Sequence, residues 1–163
     1  MSTPVRELPP IAGALVRPAV PDDAAELLVL QRCCWVDEAI ANETLDIPAL
    51  HESGDDVRAW LGEWSTWCVR VGGRLVGAVR AHRDGSSWEI GRLMVAPDLS
   101  GQGLGRWLLQ YVEAQAPADV DACSLFTGAK STRNIRMYER AGYRQTLGNA
   151  PPGAVGLVKE RRG

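Results

Sequence analysis

Gly101, Gly103 and Gly105 stand at alternate positions inside five residues of a chain that holds 17 glycines. Glycine reaches positive φ without a Cβ penalty and lets backbone N–H groups approach a ligand closely. From Gly103 onward the pattern is helical, with Leu104, Leu108, Tyr111 and Val112 on one side and Arg106, Gln110 and Glu113 on the other. A helix start adds unpaired N–H donors and a partial positive charge. The run Gly101-Gln102-Gly103-Leu104-Gly105-Arg106 therefore reads as an anion site suited to a phosphate or pyrophosphate. No Lys-Ser/Thr pair follows, so it is not a P-loop. The G-x-G-x-G spacing also misses the dinucleotide fingerprint, which needs G-x-G-x-x-G after the first strand of a βαβ unit.

Composition narrows the partners. Of 163 residues, 45% are hydrophobic and 23% charged, which suits one soluble α/β-sized domain and excludes disorder. A formal net charge of −2 argues against nucleic acid and anionic membranes as general partners. No apolar run approaches the roughly 18 residues of a membrane span. Met1–Gly13 has three prolines and no apolar stretch, so a flexible tail is expected there and no secretory signal, with the domain over 14–160 and a cytoplasmic location. Cys33, Cys34, Cys68 and Cys123 include no C-x-x-C pair, and no histidine lies near them to complete a zinc set. Reduced, mostly buried thiols and no metal are the expectation.

The elements that must hold the glycine loop follow from periodicity. Ala14–Ala19 reads as a strand, and Pro21-Asp22-Asp23 opens a helix, with Asp22 or Asp23 as N-cap. A second helix covers about Asp55–Trp64. Thr66–Val71, the Gly72-Gly73 turn and Arg74–His82 form a hairpin, and Trp88–Val95 completes an antiparallel meander. The helix after the glycine loop stops at Pro117. Ala122–Thr127 is a strand, Ser131 caps a helix over Thr132–Ala141, and Gly142 ends it. Tyr143–Leu147 and Ala154–Glu160 are the last strands. The order β-α-α-β-β-β-α-β-α-β-β predicts an α/β domain with a mixed sheet.

Two segments carry a family resemblance. Ser100-Gly101-Gln102-Gly103-Leu104-Gly105 resembles the Q/R-x-x-G-x-G/A pyrophosphate loop of the GNAT superfamily of acyl-CoA-dependent N-acetyltransferases, with Ser100 where Gln or Arg is usual. Asn134-Ile-Arg-Met-Tyr138-Glu-Arg-Ala-Gly142-Tyr143 resembles the family's N-x-x-x-Y-x-x-x-G-[FY] block. The upstream run Ile90–Pro97 resembles its central strand, and the likeness extends over about residues 14–160. The resemblance implies acetyl-CoA in a cleft where the strands Trp88–Val95 and Ala122–Thr127 splay apart. It implies backbone pairing of Leu93, Met94 and Val95 with the pantetheine arm. The amides of Gly101–Arg106 would meet the pyrophosphate, with the Arg106 side chain near a phosphate. Asn134 would bond the pantetheine, and Tyr138 would protonate the leaving sulfur. Transfer to an amine also needs a proton acceptor; Glu89, on the third meander strand, is the best candidate base, whereas His82 reads as a surface strand residue.

The acceptor is less legible. Asp37–Val57 holds seven acidic residues and no Lys or Arg; it is either a solvated acidic surface loop or, since the resemblance implies that this region borders the acceptor pocket, a draw for a cationic amine through negative potential. Trp35, Trp60, Trp64 and Trp67 are candidates to wall that pocket, or else helix-spaced core. The expected activity is acetyl transfer to a primary amine by a monomer or homodimer. The alternative is a non-catalytic acyl-CoA-binding or sensor domain of the same fold.

Overall fold

The computed structural model describes residues 7–148 and 150–161. Strand β1 (Ala14–Pro18) leads through a short 3-10 turn into α1 (Ala24–Asn42), α2 (Pro48–His51) and α3 (Gly54–Glu63). The meander is β2 (Ser65–Val71), β3 (Arg74–Asp84) and β4 (Ser87–Val95). Then come α4 (Leu104–Ala114), β5 (Ala122–Gly128), α5 (Thr132–Arg140), β6 (Arg144–Thr146) and β7 (Ala154–Glu160). This is the mixed α/β order read from the sequence, with the four-residue α2 added. From the expected tail, Pro9 is buried and Ile11 packs against the core, while residues 1–6 lie outside the described residues.

One sheet runs β1-β2-β3-β4-β5-β7-β6, and every neighbouring pair is antiparallel except β4 and β5. That parallel pair is short. It registers Ser87 with Ala122, Trp88 with Cys123 and Glu89 with Ser124, and then stops. β4 runs on to Val95 along β3, and β5 runs on to Gly128 along β7, so the two strands part beyond Glu89. A gap opens in mid-sheet, with the backbone edges of both strands facing it.

Helices cover both faces. α4 buries Leu104, Leu108, Leu109 and Val112. It lies so close to β3 that a Cβ on Gly77 would come within 3.2 Å of Leu104, Leu108 and the Met94 carbonyl. Trp88 closes this layer by donating its indole N–H to the Val112 carbonyl. Arg80 and His82 have the opposite parity on β3 and meet α3 on the other face. α3 starts cleanly because Ser53 and Asp56 form a reciprocal capping box.

Two expected caps take other roles. Asp23 occupies the N-cap position of α1 but makes no cap bond. Its buried carboxylate accepts from Arg17, Arg70 and the Val20 amide, each at 2.8 Å. Those partners, Arg17 first, hold the carboxyl well below the usual range. Ser131 stands at the N-cap of α5, yet its hydroxyl donates to Glu38 of α1.

Candidate active site

The glycine loop follows β4 and leads into α4. Gly101 and Gly103 take φ of +82° and +87°, a left-handed backbone that an L side chain adopts only at a cost. Gly103 is the N-cap of α4, and no side chain caps that end. The first amides of α4 therefore point outward without intrahelical partners. Among the predicted loop residues, Gln102 and Arg106 are exposed, while the Leu104 side chain is in the core and contributes only its backbone. A Cβ on Gly105 would lie 3.7 Å from Val95 and 3.9 Å from Met137. The start of α4, the end of β4 and the middle of α5 thus meet at one place.

β4 is deformed where it leaves β5. Ala78 pairs with Met94 and Arg80 with Gly91, so two residues of β4, Arg92 and Leu93, oppose the single Val79. Arg92 carries the extra turn with φ of +46°. Such a bulge bends a strand and frees backbone groups from the ladder. Here it falls at Arg92 and Leu93, both half-buried; Met94, buried, and Val95, half-buried, pair again with Ala78 and Gly77 of β3, and their other edge is the one β5 has left. The Val95 carbonyl accepts from the Cys34 thiol at 3.2 Å, and burial raises that thiol to about 11.

α5 brings Asn134 and Tyr138. The Asn134 amide donates to Glu38 Oε1 at 2.5 Å, and the Ser131 hydroxyl donates to Glu38 Oε2 at 2.5 Å. Asn42 joins this cluster by donating to Ser131 Oγ at 2.9 Å. The end of α1 is thereby clamped to the start of α5, and Asn134 is held by an acidic partner that its motif did not reveal. Tyr138 is 8% exposed, with its ring edge-on to Tyr143 at 6.0 Å. Its hydroxyl bonds to no described residue. Burial and then the Glu38 charge push its pKa above the usual phenol value, so it stays a protonated donor through neutral pH.

Glu89 sits where β4 and β5 part. Its Oε2 accepts from His82 Nε2 at 2.8 Å, across the β3–β4 pair. The imidazole stacks on Trp64, centroids 3.7 Å apart. His82 is thus part of a built pair and no idle surface residue. Beside it opens a solvent-facing cleft of about 550 Å³, lined by His51, Glu52, Asp56, Trp60, Trp64 and Arg80 among others. Of the four tryptophans, Trp60 and Trp64 wall this cleft, and Trp35 lies under the Arg92 guanidinium. Trp67 instead packs edge-on to Tyr111 of α4. The acidic stretch is likewise divided. Glu52 is bound by Gln31 and Arg92, Asp55 pairs with Arg58 in solvent, and Glu43 pairs with Lys130.

The splayed parallel pair, the bulge and the uncapped glycine turn follow one another along β4 and into α4. The sequence model of the Acetyltransferase (GNAT) family matches residues 27–143. The chain belongs to this family. GNAT acetyltransferases also dominate its likeness in fold. An acetyltransferase from Streptococcus agalactiae 2603 superposes with a TM-score of 0.76 at 21% identity, covering 93% of this chain and 100% of that one. The PaiA N-acetyltransferase of Thermoplasma acidophilum, crystallised with coenzyme A, gives 0.66 at 13% identity over 91% and 99%. Among curated proteins, UPF0157 protein YqkA of Bacillus subtilis (strain 168) is 29% identical over 122 residues, 75% of this chain and 35% of that protein. The chain therefore spans about a third of that relative's length. Among the described residues no helix is long and apolar enough to cross a membrane, and no group of three His, Cys, Asp or Glu residues could hold a metal.

Proposed function

We propose that this chain transfers an acetyl group from acetyl-CoA to a primary amine by direct attack. The observation that carries the reading is the parting of β4 and β5, followed in the chain by the uncapped glycine turn, whose Gly105 lies against Met137 of the helix that bears Tyr138. A pantetheine arm is an extended chain of amides, and the free edge of β4 at Leu93, Met94 and Val95 offers it strand-like partners. The amides of Gly101–Arg106 suit the pyrophosphate. The exposed Arg106 guanidinium is available to a phosphate. Asn134, held by Glu38, is the side chain assigned to the pantetheine.

The co-substrate supplies an acetyl thioester; the protein has to manage two protons. Glu89, with His82 behind it, accepts the proton that the acceptor ammonium must lose before its nitrogen can attack. A backbone N–H at Leu93–Val95, on the edge of β4 that β5 has left, polarises the acetyl carbonyl as it becomes an oxyanion. As the C–N bond forms and the C–S bond breaks, the Tyr138 hydroxyl gives its proton to the departing sulfur, the nitrogen loses its surplus proton to water, and Tyr138 is reprotonated from solvent. A neutral phenol kept protonated by burial is suited to that step.

The test is release of free CoA from acetyl-CoA over a panel of primary amines. Amine-dependent release, with N-acetylated product found by mass spectrometry, is the expected result. A protein that binds acetyl-CoA but releases no CoA with any amine would overturn the reading.

A further inference from the structure

Arg80 lines the cleft and, among the described residues, pairs with no carboxylate. Its neighbour Arg92 donates to Glu52 at 3.2 Å, and Arg70 donates to Asp23 and Glu26. Arg80 makes no hydrogen bond or ion pair to any described residue, and its Nε is buried without a partner. It is held instead by two indoles, with Cζ 4.0 Å from the Trp64 ring centre and 4.6 Å from Trp60. Stacking engages the faces of a guanidinium and leaves its in-plane N–H groups free. Those donors are arranged for two parallel bonds to a carboxylate. Burial, and then the Arg92 charge, lower Arg80 to about 10, as expected of a cation short of counter-charge.

Arg80 and His82 are two residues apart on β3 and share Trp64, so they look out of one face about 7 Å apart along the strand. Glu89 extends from His82, and its Oε1 has no partner among the described residues. The cleft thus offers an unpaired cation, and the Glu89–His82 pair lies next to it on the same sheet face, with Trp64 stacked against both Arg80 and His82. An α-amino acid has a single carbon between its amine and its carboxylate. With a hydrogen bond of about 2.8 Å at each end, it reaches about 8 Å, close to the roughly 7 Å between Arg80 and His82 along the strand.

We propose that the Arg80 cleft is the acceptor site and that the acceptor is a small zwitterion of the α-amino-acid type. Its carboxylate pairs with Arg80, and its amine faces Glu89 and His82. The acidic stretch alone suggested a purely cationic amine. A purely cationic acceptor would meet Arg80 at the floor, and a purely anionic one would meet Glu52, Asp56 and Glu63 around it. Only a molecule with both charges matches both. This inference rests on the acetyl-transfer reading for its chemistry, but it is tested through binding.

The experiment is titration of the CoA-loaded full chain with L-amino acids, their C-terminal amides and the corresponding decarboxylated amines, followed by tryptophan fluorescence. Trp60 and Trp64 touch Arg80 and report on it directly. At least one amino acid is expected to bind about tenfold or more tightly than its amide, the scale of a hydrogen-bonded charge pair. Arg80→Gln should erase that preference, and Arg80→Lys should restore part of it. Equal binding of acid and amide, no binding by any amino acid, or a preference that survives Arg80→Gln would each overturn the proposal. Failure of the acetyl-transfer reading shows separately, as the absence of CoA release with every amine. If amines lacking a carboxylate release CoA as fast as amino acids do, acetyl transfer stands and this inference falls.

Discussion

Replacing Tyr138 by Phe removes one oxygen and almost nothing else. The ring is 8% exposed and packs edge-on to Tyr143, contacts that Phe keeps. The hydroxyl bonds to no described residue, so its loss leaves no buried group without a partner. The stability change should stay within about 1 kcal/mol, roughly 2–4 °C in Tm for a chain of this size. Catalysis should suffer far more. A positioned general acid is worth about 10²–10⁴-fold in rate, or roughly 3–5 kcal/mol of barrier. Because the hydroxyl acts when sulfur leaves, the loss should fall on kcat, with KM for acetyl-CoA changing less than about threefold. The assay is free-thiol release at varied acetyl-CoA with a saturating amine. A thioester of a more acidic thiol, which leaves without protonation, should narrow the deficit. Burial and Glu38 hold the Tyr138 proton above the usual phenol range, so Tyr138 should add no loss of activity below about pH 10. An undiminished kcat, or a deficit carried wholly by KM, would remove Tyr138 from the chemistry.

Three further outcomes are expected. Glu89→Gln should lower kcat/KM by about 10²-fold at pH 7, with the deficit shrinking toward the amine's own pKa, where solvent has already taken the proton; a deficit independent of pH would argue against Glu89 as base. Gly103→Ala has room, since its Cβ would meet only Pro10 at 3.9 Å, but it must hold φ of +87°. It should cost about 1–2 kcal/mol in denaturant unfolding and weaken acetyl-CoA binding in calorimetry. Asp23→Asn should cost about 3 kcal/mol by breaking a buried pair. Asp23's carboxyl is lower in the folded chain than its unfolded value of about 3.9. Its contribution is therefore present above that pH and lost as pH falls, so wild type and variant should converge in acid melts.

The parts of the fold set by local chemistry were readable. The Gly72-Gly73 hairpin, the glycine turn before α4 and the helix stop at Gly142 each depend on a few adjacent residues, and each stands where expected. α2 escaped notice because four residues carry no periodicity. The bulge at Arg92 has no glycine or proline to mark it; it arises from how β4 must register on β3. Pairings across long separations were hidden for a similar reason. Glu38 reaches Asn134 and Ser131 more than ninety residues away, and only tertiary packing brings them together. Asp23 shows tertiary structure overriding a local preference, since two arginines outcompete the helix end for its carboxylate. Nothing local in the run Arg74–His82 marks Arg80; its unpaired state depends on which carboxylates its neighbours have taken.

The central claim is that the gap between β4 and β5, closed by the glycine turn, holds acyl-CoA. Thermal melting with acetyl-CoA and, in parallel, NAD tests it most directly. At about 100 times Kd a ligand specific for the folded state adds about 2.7 kcal/mol, roughly 5–10 °C at this size. That upward shift is expected with acetyl-CoA, reduced in Gly103→Ala and absent with NAD. No shift with acetyl-CoA, or an equal shift with NAD, would contradict it.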